Sequence, residues 1–247
     1  MALRERKFGV EIECNMKKHP DYDGDGYRLY GRGSTSIVHN LLTKEAEAGR
    51  ISRRWLRDIH CDGSGAEATS PKLSGAKGFA ELKRVMYVLK SNGGAVNAQD
   101  GLHVHHDAPE FIRNTELKGM LADSWLNNEQ TIQKLVAARR HGDRAYHCPP
   151  LSAKAVEIIK KGQYGGLSRH SLNLRSLEKH GSIEFRLHEG TLDFDQAKAW
   201  IRFGQAFIES VLVRKRPIKP VGVAELLRIV GTAESAQRRL MSRRGAR

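Results

Sequence analysis

Lys7-Phe8-Gly9-Val10-Glu11-Ile12-Glu13 is the stretch on which the fold of this chain turns. Phe8, Val10 and Ile12 alternate with Gly9, Glu11 and Glu13, the two-residue period of a β-strand. Such a strand buries one face and presents two acids side by side on the other. Carboxylates roughly 6–7 Å apart repel by about 2–3 kcal/mol at an effective dielectric near 20. A cation held between them removes that penalty.

The pattern recurs with other polar residues. Leu102 and Val104 alternate with His103 and His105; Ile183, Phe185 and Leu187 alternate with Glu184, Arg186 and His188; Leu172 and Leu174 alternate with Asn173 and Arg175. Glu67 stands among small residues that let a bulky ligand approach. A half-buried strand with a solvated face is ordinary in antiparallel proteins, but that face usually carries Lys, Thr and Ser. Glu, His, Arg and Asn are instead the residues that coordinate metals and grip phosphate. If these strands share one sheet, their polar faces make one site.

The rest of the chain sets the frame. Helices are expected over Ser34–Ala48, Ala76–Lys90, Thr115–Ala138, Ser152–Lys161, Phe194–Val213 and Val221–Val230, from apolar residues at helical spacing and from cap and stop residues. Strands are expected over Trp55–Asp62 and Gly65–Lys72, joined by the turn Asp62-Gly63-Ser64. Ala95–Asp107, Ser171–Ser176 and Ser182–Glu189 also read as extended. Strands and helices do not alternate singly, which favours an antiparallel α+β domain over a doubly wound one. That domain is expected over residues 1–230, with residues 231–247 as a basic C-terminal tail.

Composition excludes several classes. The 247 residues are 39% hydrophobic and 6% aromatic, enough for a core but without the run of about 20 apolar residues that crosses a membrane. The three cysteines, Cys14, Cys61 and Cys148, show neither zinc-ribbon spacing nor a pairing scheme, and the opening residues lack the apolar stretch of a secretory signal. A cytoplasmic location is the expectation. The net charge of +14 is concentrated toward the end, as in Arg214-Lys215-Arg216 and Arg238-Arg239. Basic surface permits nucleic-acid contact, but no RNA-recognition signature or zinc-finger spacing accompanies it.

Several carboxylates with one or two imidazoles suit Mg²⁺ or Mn²⁺ better than a closed structural zinc site. Arginines beside divalent ions point to a polyphosphate, and the supply is Arg139, Arg140, Arg144, Arg169, Arg175 and Arg186. No glycine-rich phosphate loop is present, so any nucleotide would be held by the sheet face and its metals.

At these residues the chain resembles the amidoligase family, relatives of glutamine synthetase and γ-glutamylcysteine ligase. The matches run in the family's order: Phe8-Gly-Val-Glu-Ile-Glu13, Asp62-Gly-Ser with Glu67-Ala-Thr-Ser-Pro71, and Gly101-Leu-His-Val-His105. Arg140, Arg144-Ala-Tyr-His-Cys148-Pro, Arg169-His-Ser-Leu-Asn173, and Ser182-Ile-Glu-Phe-Arg186 with Gly190-Thr-Leu-Asp193 follow. The resemblance implies a curved antiparallel sheet with helices on its convex side, ATP and two or more Mg²⁺ ions on the concave face, and ATP-dependent joining of a carboxylate to an amine. It implies Glu11, Glu13, Glu67, His103 and Glu184 as metal ligands. His105 lies close by as ligand or base, and Arg186 meets the transferring phosphate. Arg140, Arg144 and Arg169 would contact phosphate or the substrate carboxylate, and Asn173 would orient a substrate or ligand. The chain departs from the family pattern at His170, where a tyrosine is usual. The carboxylate partner is expected to be a small molecule, a peptide or another acidic group. Two rival readings are a metal-dependent phosphodiesterase or nuclease, and a basic binding protein on a degenerate ligase scaffold.

Overall fold

The computed structural model describes residues 5–16, 32–62, 65–141, 148–164 and 166–242. Gly63 and Ser64 of the expected turn, Arg144, and 243–247 of the basic tail lie outside the described residues. The chain divides into two units: Lys7–His103 with Glu189–Ala197 in one, and the rest of the described chain in the other.

The first unit is built on β1 (Phe8–Met16), in which Phe8, Val10, Ile12, Cys14 and Met16 are all buried. β2 (Ile59–Asp62) and β3 (Gly65–Thr69) form an antiparallel hairpin, and β3 pairs antiparallel with β1. The short β4 (Gly94–Ala95) extends the end of β1, with Asn15 opposite Ala95. On its other side β1 is bonded to β5 (Gly101–Asp107), whose first three residues belong to this unit. Helices α1 (Arg32–Glu47) and α2 (Gly75–Ser91) belong to the same unit. The buried face of α2 is Phe79, Leu82, Val85, Met86, Val88 and Leu89, and the Phe79 ring lies 4.7 Å from that of Phe8.

In the second unit the order is β5, β7 (Ser182–Glu189), β6 (Leu172–Asn173), with Asn173 opposite Glu184 in an antiparallel pair. Its helices are α3 (Thr115–Gln133), α4 (Ala153–Lys160), α5 (Ser176–His180), most of α6 (Phe194–Arg214), α7 (Val223–Val230) and α8 (Glu234–Met241). Phe185 of β7 anchors an aromatic core, 4.9 Å from Trp125, 6.3 Å from Phe207 and 6.5 Å from Trp200. His106 is fully buried there, its ring edge-on to Phe185 at 5.1 Å, and burial pushes its pKa down to about 3. A Cβ on Gly204 would stand 2.2 Å from His106 Nε2. Gly204→Ala is therefore expected to destabilise the fold by about 1–3 kcal/mol, as overpacking of a closed core does; denaturant unfolding measures it.

The architecture is α+β with antiparallel strand pairs, as expected. Four local readings change. Trp55 is not in a strand: Arg53–Arg57 form a single 3₁₀ turn capped by Ser52, and the strand begins at Ile59. The turn sends the Trp55 side chain into the core, where its indole donates to Glu81, and leaves Arg53, Arg54 and Arg57 outside the buried face. The segment 171–176 is strand only at Leu172–Asn173. The Asn173 side chain accepts the Arg175 N–H at 2.9 Å, a local turn that diverts the chain into α5. The helix expected to reach Ala138 ends at Gln133, and a 3₁₀ turn follows at Ala138–Arg140. Within the segment read as a tail, α8 buries Ala236 and Leu240. Among the described residues no helix is long and apolar enough to cross a membrane.

Candidate active site

In the first unit strand register does the assembling. Glu13 of β1 lies opposite Glu67 of β3, and Glu67 opposite His60 of β2, so three polar side chains line up across the strands. β5, next to β1, adds His103. The His103 Nδ1 is 2.8 Å from Glu11 Oε2, and its Nε2 is 3.5 Å from Glu13 Oε1. Glu13 also accepts the backbone N–H of Gly101 at 2.7 Å. Glu13, Glu67 and His103 are all buried, while Glu11 is half-exposed.

Glu11, Glu67 and His103 each offer a ligand atom within 4.8 Å of the others. Octahedral Mg²⁺ binds oxygen at about 2.0–2.1 Å, so two ligands across the ion are about 4 Å apart. Two carboxylates and one imidazole at this spacing fit Mg²⁺ or Mn²⁺, with water completing the shell. The small side chains of Ala66 and Ala68 flank Glu67 on β3.

The second unit carries the phosphate-type residues. The Arg186 guanidinium donates to the Glu184 carboxylate, and Asn173 Nδ2 donates to its other oxygen at 2.5 Å. His105 Nδ1 is 3.1 Å from both Ser176 Oγ and Ser182 Oγ, which orients its Nε2 toward Glu184, at 4.0 Å. The paired imidazoles of the sequence thus sit in different surroundings: His103 among carboxylates, His105 beside hydroxyls. Arg140 is 3% exposed and donates to the carbonyl oxygen of His188 at 3.0 Å, which ties it to the β7 backbone. Arg169 is exposed. His188, expected on the polar face, is buried with its ring 5.3 Å from Trp200. Arg144 lies outside the described residues.

Two polar residues escaped the sequence reading. His60 reaches Glu67 Oε1 with Nε2 at 3.2 Å and Asp58 with Nδ1 at 3.1 Å. Its signal was faint, a single imidazole in a four-residue strand. Glu129 stands at a core position of α3, four residues after Trp125 and three before Ile132, and an acid within that apolar spacing was a usable clue. It accepts the Leu151 N–H at 2.8 Å and the Ser171 hydroxyl. Burial pushes its pKa up to about 7, against the lowering effect of those hydrogen bonds.

A carboxyl group whose pKa is raised on folding stabilises the fold below its unfolded pKa near 4.5, and that contribution is lost as pH rises through about 7. The span corresponds to about 3 kcal/mol. The stability difference between the native chain and Glu129→Gln is therefore expected to move against the native chain between pH 4.5 and 7 and to level off above. Urea titrations across that range measure it.

Comparison with known proteins identifies a family and a fold. A family model described as "Putative amidoligase enzyme" matches residues 38–166 and 162–208, more than half of the chain. A bifunctional glutathione synthetase from Pasteurella multocida matches with a TM-score of 0.51 and 14% identity, over 98% of this chain and 47% of that one. A novel glutamine synthase homolog matches with a TM-score of 0.50 and 14% identity, over 96% of this chain and 63% of that one. At such identity the likeness is one of fold, and the chain spans about half the length of the first of these proteins. Among curated proteins none matches. A strand carrying Glu11 and Glu13, a His-x-His strand and a Glu-x-Arg strand thus occur in a glutamine-synthetase-like fold, and the chain belongs to the amidoligase family.

Proposed function

We propose that this chain is an ATP- and divalent-cation-dependent ligase that joins a carboxylate to an amine through an acyl-phosphate intermediate. The observation that carries the reading is the placement of Glu11, Glu67 and His103 within ligating distance of one another, in a chain of this family. Bound Mg²⁺ or Mn²⁺ would supply charge neutralisation for the phosphates of ATP.

The chain's own residues have the remaining tasks. Glu11, Glu67 and His103 hold the cation, with Glu13 kept in place by the Gly101 N–H. Arg186, oriented by Glu184, presents its guanidinium to the phosphoryl group as a substrate carboxylate attacks it. Asn173 fixes the Glu184 carboxylate from the other side. An amine then displaces phosphate from the activated acyl group, after a neutral imidazole or a carboxylate has taken its proton. His105 suits that role, because the two serine hydroxyls orient its ring. The bifunctional glutathione synthetase and the glutamine synthase homolog suggest amino acids or peptides as the first carboxylates to try. Excess positive charge favours an acidic partner.

The test is a screen of acidic carboxylates paired with amines, in the presence of ATP and Mg²⁺ or Mn²⁺. ADP release that requires both partners, with a product whose mass is their sum less one water, is the expected result. Cation-dependent cleavage of nucleic acid without nucleotide would replace the ligase reading with a hydrolase one.

A further inference from the structure

Glu129 is an expensive residue to keep where it is. It is 4% exposed, and the groups facing it are the Leu151 N–H, the Ser171 hydroxyl and the nearby Trp125 indole, all of them neutral. A well-packed apolar side chain in such a place is often more stable than a buried charge. What Glu129 does that an apolar residue cannot is hold Ser171. The Ser171 hydroxyl donates to Glu129 and accepts the Trp125 indole N–H at 3.0 Å. Its main chain then reaches two ways: the N–H donates to the carbonyl of Pro149 at 3.0 Å, and the carbonyl accepts the N–H of Arg186 at 2.9 Å. Two residues further on, Asn173 binds Glu184, the partner of Arg186. Leu151 and Ser171 bracket α4 and its flanking loops, so one carboxylate ties down both ends of that segment.

We propose that Glu129 is a positioning residue: by fixing Ser171 it sets the backbone from which Arg186 addresses the transferring phosphate. The role in turnover rests on the ligase reading above; the link from Glu129 to Arg186 does not. Glu129→Leu keeps much of the side-chain volume but removes both acceptor oxygens, so neither of its two hydrogen bonds survives. Ser171→Ala removes the relay from the other side.

Two readouts decide the matter. Amide hydrogen exchange, taken without substrate, should show Arg186 exchanging at least about tenfold faster in both variants, with α2 unchanged. Steady-state ADP release should show kcat reduced on the order of 100-fold, as a displaced reacting group entails, with KM for ATP within about threefold of native. The double variant should be no worse than either single one, because both break the same link. A variant that unfolds would lose protection in α2 as well, which separates collapse from loosening. Unchanged exchange at Arg186 would overturn the proposal. Faster exchange with native kcat would reduce Glu129 to a structural staple and overturn it too. A native chain with no ADP release for any pair would instead defeat the ligase reading, and the catalytic role with it, whatever the exchange data show.

Discussion

Glu67→Gln is expected to lower cation-dependent ADP release by at least about 100-fold while leaving the melting temperature, measured with chelator present, unchanged or raised. Glu67 is 9% exposed and lies opposite Glu13, which is 7% exposed, with the ligating oxygen of Glu11 within 4.8 Å of its own. In the absence of a cation such carboxylates repel one another, so neutralising one relieves strain. With the cation, the amide offers a weaker ligand in place of an anionic one, and altering even the partners of a metal's ligands costs 10- to 100-fold in affinity or activity. Opposite signs for stability and activity mark a site kept for function. Glu11→Gln should behave likewise. Native turnover in both variants would remove the cation from this strand face.

Arg186→Lys is the second large effect. The Arg186 guanidinium is already engaged by Glu184, which fixes its plane, and the remaining N–H groups of the fork are what a phosphoryl group would meet. A lysine keeps the charge but offers a point instead of a planar fork, and its ammonium would have to choose between Glu184 and phosphate. Loss of one such donor typically costs about 10²–10³ in kcat. The fall should appear in kcat with little change in KM for ATP, since the contact strengthens only as charge is transferred. Turnover near native would place the phosphate contact on another residue.

How much of this was legible in the sequence depended on whether one face of an element was buried along its length. β1 and β7 were readable because Phe8, Val10 and Ile12, and likewise Ile183, Phe185 and Leu187, alternate without interruption, and the strand found at Ser182–Glu189 has the bounds expected of it. α2 was readable for the same reason at helical spacing. Where a single residue sets the conformation, pattern fails. Trp55 turns inward on one 3₁₀ turn, and Asn173 redirects the chain through its own side chain. Register across distant strands was beyond reach: Glu67 faces His60 across a local hairpin, but that Glu13 joins them depends on pairing between residues some fifty positions apart, which no local pattern encodes. The residue types of the site were therefore visible before their companions were. Glu11, Glu67 and His103 could be named from alternation and resemblance, whereas His60 emerged only from packing and Glu129 had left only the mark of an acid at an apolar helical position.

The most direct test is electron paramagnetic resonance of Mn²⁺ titrated into the nucleotide-free chain, with pulsed detection of nitrogen coupling. The expected result is bound Mn²⁺ carrying the signature of directly coordinated imidazole, with that signature lost in His103→Ala and binding weakened in Glu11→Gln and Glu67→Gln. Mn²⁺ that binds the native chain and all three variants equally, with no nitrogen coupling in any of them, would contradict it.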